Sequence, residues 1–263
     1  MVTTLPCNCC PKMHRRSSVV NNRSSLIVPE IMNEDAMDVL VRWDIADVVN
    51  GISTIFTAEA GIPLSAEAKL AMYHLRYLEF AGTMPGKQFP DQIESDRFDA
   101  HSYHFVARLG SEVLGSARLI PCEKGFPMED EREVLLPDGT PWVFPQIHPV
   151  TGIPVSRAEA VETSRLIGRP YELPSGDLLW STPLILEVMK KFTVSIPECK
   201  YSVAFLRVRL LDLFRKLGYD WISISPPQEF RGGQFQAAWI DSVQFANVSA
   251  GPRILPQNKN TKP

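Results

Sequence analysis

Three short runs between His74 and Pro121 decide how this chain is read: LRYLEF (Leu75–Phe80), ESDRFDAHSYHF (Glu94–Phe105) and VLGSARLIP (Val113–Pro121). A brief echo, ETSRL (Glu162–Leu166), comes later. Arg76, Asp96, Asp99, Arg118, Glu162 and Arg165 all lie in or beside segments that otherwise pattern as core-forming helix or strand. Charged side chains rarely occupy such segments unless they are paired. Three arginines and three acids leave two readings open. One is a structural ion-pair network that fixes the packing. The other is a substrate cleft built from the same residues.

The surrounding pattern supplies the elements. Met72, Arg76 and Phe80 are four apart and share one helix face, which puts the arginine on an apolar stripe. Ser65, with Pro63 just before it, is placed to cap that helix, which runs to about Gly82. Thr83 to Gln92 carries Gly and Pro and is expected to be a loop. Tyr103–Leu109 and Glu112–Ile120 predict a β-hairpin around Gly110-Ser111. Upstream, Met37, Val41, Ile45, Val48 and Val49 recur at helical spacing and Gly51 suits a helix stop, so an additional helix is expected over 31–51. Ile52–Thr57 predicts a short strand.

Downstream, Glu123 to Pro154 is Pro-rich and irregular, with room for a β-ribbon. Then come a strand at Ala158–Leu166, a loop from Gly168 to Ser181, and a helix to about Val194 with Thr182 as cap and Pro183 in its first turn. A strand at Tyr201–Leu206, a helix at Arg207–Leu217 stopped by Gly218, and two strands around Arg231-Gly232-Gly233 complete the series. Residues 1–30 show no periodicity and are expected to be a disordered arm, with 31–250 a single domain and 251–263 a tail. Periodicity alone gives an α+β or α/β fold.

Bulk composition excludes several classes. The 263 residues are 44% hydrophobic and 22% charged, with a net charge of −3, which is ordinary for a globular chain and unsuited to a nucleic-acid partner. No apolar run approaches bilayer length, and the N-terminus has no apolar signal core, so the expectation is a cytoplasmic protein without a transmembrane segment. Five cysteines, three of them crowded at Cys7, Cys9 and Cys10, do not make a disulfide framework. With His14 they number four candidate zinc ligands, but no packed frame surrounds them, so no metal is expected.

The motifs also carry a resemblance. Arg76 and Phe80 on a helix come first, then Glu94-x-Asp96-x-Phe98-Asp99. Gly115-x-x-Arg118-Leu119-x-Pro121 and Glu162-x-Ser164-Arg165 follow. In this order they resemble the autoinducer (acyl-homoserine lactone) synthase branch of the GNAT acyltransferases. Ser102, His104 and the Tyr77 after Arg76 are more similar to a sister branch, the N-acyl amino acid synthases and exosortase-associated acyltransferases. The resemblance spans about residues 52–245. It implies a GNAT fold, a mixed and mostly antiparallel sheet flanked by helices.

It also implies an activity: transfer of a fatty acyl group from acyl carrier protein to an amine. It implies no permanently bound cofactor, with acyl-phosphopantetheine, on acyl carrier protein or as acyl-CoA, as the donor substrate. Its arm lies between two splayed strands, here Ala158–Leu166 and Tyr201–Leu206. Glu162 is then placed to take the amine proton or to bind the ammonium group, with Arg165 beside it in the catalytic pair. Strand alternation puts those two on opposite faces unless a bulge intervenes. The alternative for Glu162 is an ion pair with Arg118 or Arg76. Arg76, Phe80, Glu94, Asp96, Asp99, Ser102, His104, Arg118 and Ser164 are the implied substrate-binding residues. Phe80, Phe98, Trp180 and Leu186 are candidates for an acyl tunnel or for plain core. Lys190, Lys191, Arg207 and Arg209 are candidates for docking the carrier or for plain solvated surface. The lactone synthases normally carry a Trp ten residues after the helix Arg, where this chain has Gly86. That departure favours an amino acid acceptor. The alternatives are a lactone synthase using S-adenosylmethionine and a non-enzymatic acyl-chain binding protein.

Overall fold

A computed structural model of the chain describes residues 37–84, 87–131, 134–196, 199–248 and 253–255. The expected N-terminal arm, the Cys7, Cys9, Cys10 and His14 group, and Gly86 lie outside the described residues. The first described element corrects the expected helix over 31–51. β1 (Met37–Val49) and β2 (Ile52–Pro63) form a long antiparallel hairpin whose register closes at Val49↔Ile52. The apolar residues fit a period of two as well as a helical one, since Met37, Val39, Val41, Trp43 and Ile45 occupy every second position. The strand keeps Asp38, Arg42 and Asp44 exposed and buries Met37, Val41 and Ile45. Asn50 and Gly51, with φ of 52° and 79°, make the two-residue turn that Asn-Gly favours because both positions need positive φ. Gly51 is therefore a hairpin residue and not a helix stop.

α1 (Ala66–Phe80) begins where Ser65 Oγ accepts the Ala68 N–H, and it buries Met72, Leu75 and Arg76. β3 (Tyr103–Leu109) and β4 (Glu112–Pro121) form the expected hairpin. A one-turn helix, α2 (Pro127–Asp130), lies in the irregular stretch, where isolated bridges join Leu135 to Pro141 and Ile147 to Pro154. β5 (Ala160–Gly168), β6 (Pro170–Glu172), β7 (Leu178–Trp180) and α3 (Thr182–Ser195) come next. Then follow β8 (Tyr201–Arg207), α4 (Val208–Lys216), β9 (Ile222–Ser223), β10 (Gln228–Phe230), β11 (Gly233–Asp241), α5 (Ser242–Asn247) and β12 (Arg253–Leu255). The expected loop from Gly168 to Ser181 contains the β6–β7 hairpin, and β12, from the expected tail, pairs with β7.

The large sheet runs β1-β2-β3-β4-β5-β8-β11-β10, with β9 also on β11. Its neighbours pair antiparallel except β5 and β8, which run parallel and pair only from Ala160↔Tyr201 to Glu162↔Val203. One apolar core joins α3 to the sheet through Phe105, Leu119, Ile185 and Val188. A second gathers Phe98, Ile120, Phe126, Met128, Trp142 and Trp239. The mixed sheet flanked by helices is the α+β, GNAT-like architecture.

Candidate active site

The site is organised by a single irregularity in β5. Ser116 pairs with Ile167 and Arg118 with Ser164, so Arg165 and Leu166 together stand opposite Ala117. Arg165 has φ of 53°, a left-handed conformation like that of the first residue in one class of β-bulge. A bulge bends its strand, and here β8 follows β5 only as far as Glu162. Beyond that point the two strands part.

The space between them is a cavity of about 640 Å³. Glu162 to Gly168 line one wall, and Phe205, Leu206 and Arg207 of β8 line another. Leu186 of α3, Leu210 and Leu213 of α4, Phe80 of α1 and Trp180 complete much of the apolar lining. Of the four tunnel candidates, Phe80, Trp180 and Leu186 face this cavity. Phe98 does not: it is 1% exposed and packs in the second core.

Beside the cavity, the charged residues of the diagnostic runs close into a ring. Arg76 meets Glu94 at 2.6 Å, Glu94 meets Arg165 at 3.0 Å, and Arg165 meets Asp96 at 3.2 Å. Asp96 meets Arg118 at 2.6 Å, Arg118 meets Asp99 at 2.8 Å, and Asp99 returns to Arg76 at 2.7 Å. Each arginine thus bridges two carboxylates and each carboxylate two arginines. Lys87 adds a contact to Glu94 at 3.1 Å. The local chain prepares the ring: Asp96 Oδ1 accepts the Phe98 N–H and Asp99 Oδ2 accepts the Asp96 N–H, a capping box on the turn Arg97–His101. Ser102 Oγ donates to the Phe98 carbonyl at 2.6 Å, and His104 Nε2 donates to the Asp99 carbonyl at 3.1 Å.

The electrostatics follow from this pairing. Burial alone would raise the carboxyl of Glu94; the guanidinium groups of Arg165 and Arg76 outweigh it and hold the group at about 2. For Asp99, burial is likewise outweighed, by the hydrogen bond and charge of Arg76 and by Arg118, again to about 2. The two carboxylates around Arg118 raise its already high value despite its burial. Burial lowers His104 from its ordinary value, against the opposing hydrogen bond and charge of Asp99.

The expected site residues therefore separate into two groups. Arg76, Glu94, Asp96, Asp99 and Arg118 build the ring, while Ser102 and His104 hold the turn that carries it. None of these seven lines the cavity. Phe80, Glu162, Ser164 and Arg165 do. Ser164 Oγ accepts from Arg118 Nε at 3.0 Å, and the Arg165 guanidinium lies 5.3 Å from the centre of the Phe80 ring. Arg165 is thus the ring member that also faces the cavity. Glu162 is 2% exposed at the apex where the strands part, and its Oε2 accepts the Met128 N–H of α2 at 2.9 Å. Burial raises the nearby Cys122 thiol well above its ordinary value, and the Glu162 carboxylate adds to the shift.

The docking candidates are corrected in part. Lys190 is 8% exposed, and its Nζ donates to Glu187 and to the Val248 carbonyl, so it does not present a surface charge. It is one of the buried residues of α3, together with Leu186, Met189 and Thr193. Lys191 is exposed with Nζ on the Leu40 carbonyl, Arg209 is exposed on α4, and Arg207 is exposed and lines the cavity. Sequence reasoning passed over Phe205, Phe230 and Phe235 as cavity residues and read Arg231 as part of a hairpin turn, which it is, although it also lines the cavity. A repeated aromatic pattern across β8, β10 and β11 was the available signal, and it reads equally as core. Among the described residues, no cluster of His, Cys, Asp and Glu suits a metal ion, and no helix is long and apolar enough to cross a membrane.

Solved structures with the same fold include the acyl-homoserine lactone synthase LasI. It matches at TM-score 0.55 and 15% identity over 71% of this chain and 90% of that one. TofI, crystallised in a ternary complex with an inhibitor and MTA, matches at TM-score 0.52 and 15% identity over 73% of this chain and 97% of that one. The fold is that of the acyl-homoserine lactone synthases. No protein-family model matches the chain, and no curated protein sequence matches it.

Proposed function

We propose that the chain is an N-acyltransferase that moves a fatty acyl group from acyl carrier protein to the amine of an amino acid. The observation that carries this reading is the parting of β5 and β8 just beyond Glu162, which opens an apolar cavity with a buried carboxylate at its apex. An acyl chain and its pantetheine arm need such a mostly apolar, concave site. The amine attacks the thioester carbonyl, Glu162 takes the proton the nitrogen must lose, the C–N bond forms, and the C–S bond breaks to release the thiol. The bulge at Arg165 leaves an extra backbone unit outside the β4 ladder, suited to stabilising the oxyanion of the tetrahedral intermediate. Arg165 completes the site by facing the cavity while Glu94 and Asp96 hold it from behind.

The ring supports a positioning role for most of the charged motif. With three arginines and three acids already paired, it has little remaining attraction for a cationic substrate group. A second reading, lactone synthesis from S-adenosylmethionine, draws on the fold shared with LasI and TofI. Both readings take acyl carrier protein as partner and place the reaction in the cytoplasm. The deciding experiment supplies purified acyl carrier protein loaded with a fatty acyl chain, together with a panel of amino acids or S-adenosylmethionine. Mass spectrometry then reads the products. N-acyl amino acids are expected. An acyl-homoserine lactone as sole product selects the second reading, and binding of the acyl chain without turnover removes both in favour of a carrier of lipid.

A further inference from the structure

We infer that the outer edge of β1 is a docking surface for the β1 strand of a second copy of this chain, antiparallel and two-fold symmetric about Trp43. β1 ends the strand order of the large sheet, and among the described residues no strand pairs with its outer edge. The hairpin geometry says which backbone groups that edge offers. Val49 and Ile52 flank a two-residue turn, so they exchange their backbone bonds across the hairpin. Antiparallel pairs alternate, so Asp47, Ile45, Trp43 and Val41 bond toward β2, while Val48, Ala46, Asp44 and Arg42 turn their N–H and C=O groups outward. Leu40, at the irregularity between Val39 and Val41, ends this row: its carbonyl accepts from Lys191 Nζ of α3 at 2.8 Å.

The side chains select the partner and the register. Proteins deter edge pairing with proline, irregularities or charge. β1 has no proline, and from Val41 to Val49 its register is unbroken. Its outer face carries charge of both signs: Arg42 and Asp44 are two apart and exposed. Arg42 Nε donates to Glu59 at 2.9 Å and Asp44 Oδ1 accepts from Thr57 Oγ1 at 2.8 Å, so β2 orders both side chains without burying them. Opposite charges directly across an antiparallel pair attract, and like charges repel. A two-fold axis at Arg42 or at Asp44 sets like charges face to face. An axis at Ile45 sets Arg42 and Asp44 against the partner's Val48 and the partner's Ala46. An axis at Trp43 sets Arg42 against the partner's Asp44, and Asp44 against the partner's Arg42. It also brings Trp43 against the partner's Trp43 in a non-hydrogen-bonded pair, the closer of the two kinds. Trp43 shares its face with Val41 and Ile45, which are buried, yet is itself half-buried, so a second copy supplies the cover it lacks.

The test is sedimentation of the full chain by analytical ultracentrifugation over a range of concentrations. A dimer in equilibrium with monomer is expected. Arg42→Asp and Asp44→Arg each set like charges at both outward pairs, and each should weaken the dimer by about tenfold or more. Both residues are exposed, so both variants should keep the melting temperature of the unaltered protein. Mixing the two variants restores opposite charge at both pairs, so a heterodimer should form where neither variant self-associates. Arg42→Asp combined with Asp44→Arg in one chain should restore the homodimer, and it covers the case in which a single variant fails to fold. A monomer at every concentration overturns the proposal, whether the edge is left to another segment of this chain or to a different protein. A dimer that neither substitution weakens places the interface elsewhere and overturns it too. Dissociation by both single substitutions, with no recovery in the mixture or the combined variant, overturns the two-fold register about Trp43.

Discussion

The two sides of β5 use charge in opposite ways. On one side, six charged residues contributed by α1, the turn after Glu94, β4 and β5 neutralise one another in a closed ring with Arg76, Glu94 and Arg118 almost without exposure. On the other, the cavity between β5 and β8 is walled mostly by apolar side chains, with Glu162 at the apex and arginines at its rim. Charges matched within the ring serve packing and orientation, whereas a carboxylate that lines an apolar cavity lies where a bound substrate would meet it. Substitutions on the two sides should therefore fail in different assays.

The largest expected effect is on the cavity side. Glu162→Gln keeps the shape and the acceptor oxygen for the Met128 N–H but removes the proposed base, so single-turnover transfer should fall by roughly 10²–10⁴. The melting temperature should change little. A folded variant with near-normal turnover removes Glu162 from the mechanism.

On the ring side the order of effects reverses. Glu94 touches Arg76, Arg165 and Lys87, so Glu94→Gln leaves buried guanidinium groups without their counter-charge. Removing one partner of a buried ion pair costs about 3–5 kcal/mol, enough to unfold many domains. Urea denaturation at neutral pH reads it. A loss below about 1 kcal/mol would mean that the ring is a substrate site after all, with water already compensating its charges.

The same ring predicts an acid response. Glu94 and Asp99 have ordinary values of 4.5 and 3.8 and are both held at about 2 in the folded chain. A depressed carboxylate contributes stability that is fully present above its unfolded value and is lost as pH falls through its folded value. The stability gap between the unaltered protein and Glu94→Gln should be constant from neutral pH to about 5 and then close toward pH 2. A gap that stays constant through that window would show that Glu94 is not held ionised by the ring.

Much of this arrangement was legible before the fold was known. The four-residue spacing of Met72, Arg76 and Phe80 and the β3–β4 hairpin follow from local rules of helix and strand geometry; strand alternation said only that Glu162 and Arg165 could share a side if a bulge intervened, and the irregularity lies at Arg165 and Leu166. What failed were places where local rules give two answers. Met37–Val49 satisfies both a helical and a strand period, and only the Asn50-Gly51 turn, with its demand for positive φ at two successive residues, breaks the tie. Lys190 reads as surface by type, yet it is buried, with Glu187 and the Val248 carbonyl as its partners. The closure of the ring was out of reach for a different reason. Its three arginines and three acids come from segments up to 89 residues apart, Arg76 to Arg165, and nothing local says which acid each arginine meets.

The smallest expected effect is the finest probe of where core ends and ligand surface begins. Leu210 and Leu211 are neighbours on α4. Leu211 is 0% exposed in the main core, whereas Leu210 is half-buried and lines the cavity. Leu211→Ala should cost about 2–5 kcal/mol, because it opens a void that packed neighbours cannot fill. Leu210→Ala enlarges a space that is already there, removes little area from the core and replaces Leu by a better helix former, so its cost should stay near or below about 1 kcal/mol. Its consequence should appear in selectivity instead. A pocket gaining the volume of a few methyl groups should shift product chains toward greater length or branching, by about tenfold or more per methylene in competition between two acyl donors. Equal destabilisation by the two substitutions, with unchanged product lengths, would make the α4 wall ordinary core and would confine the acyl chain to the wall formed by β5 and α3.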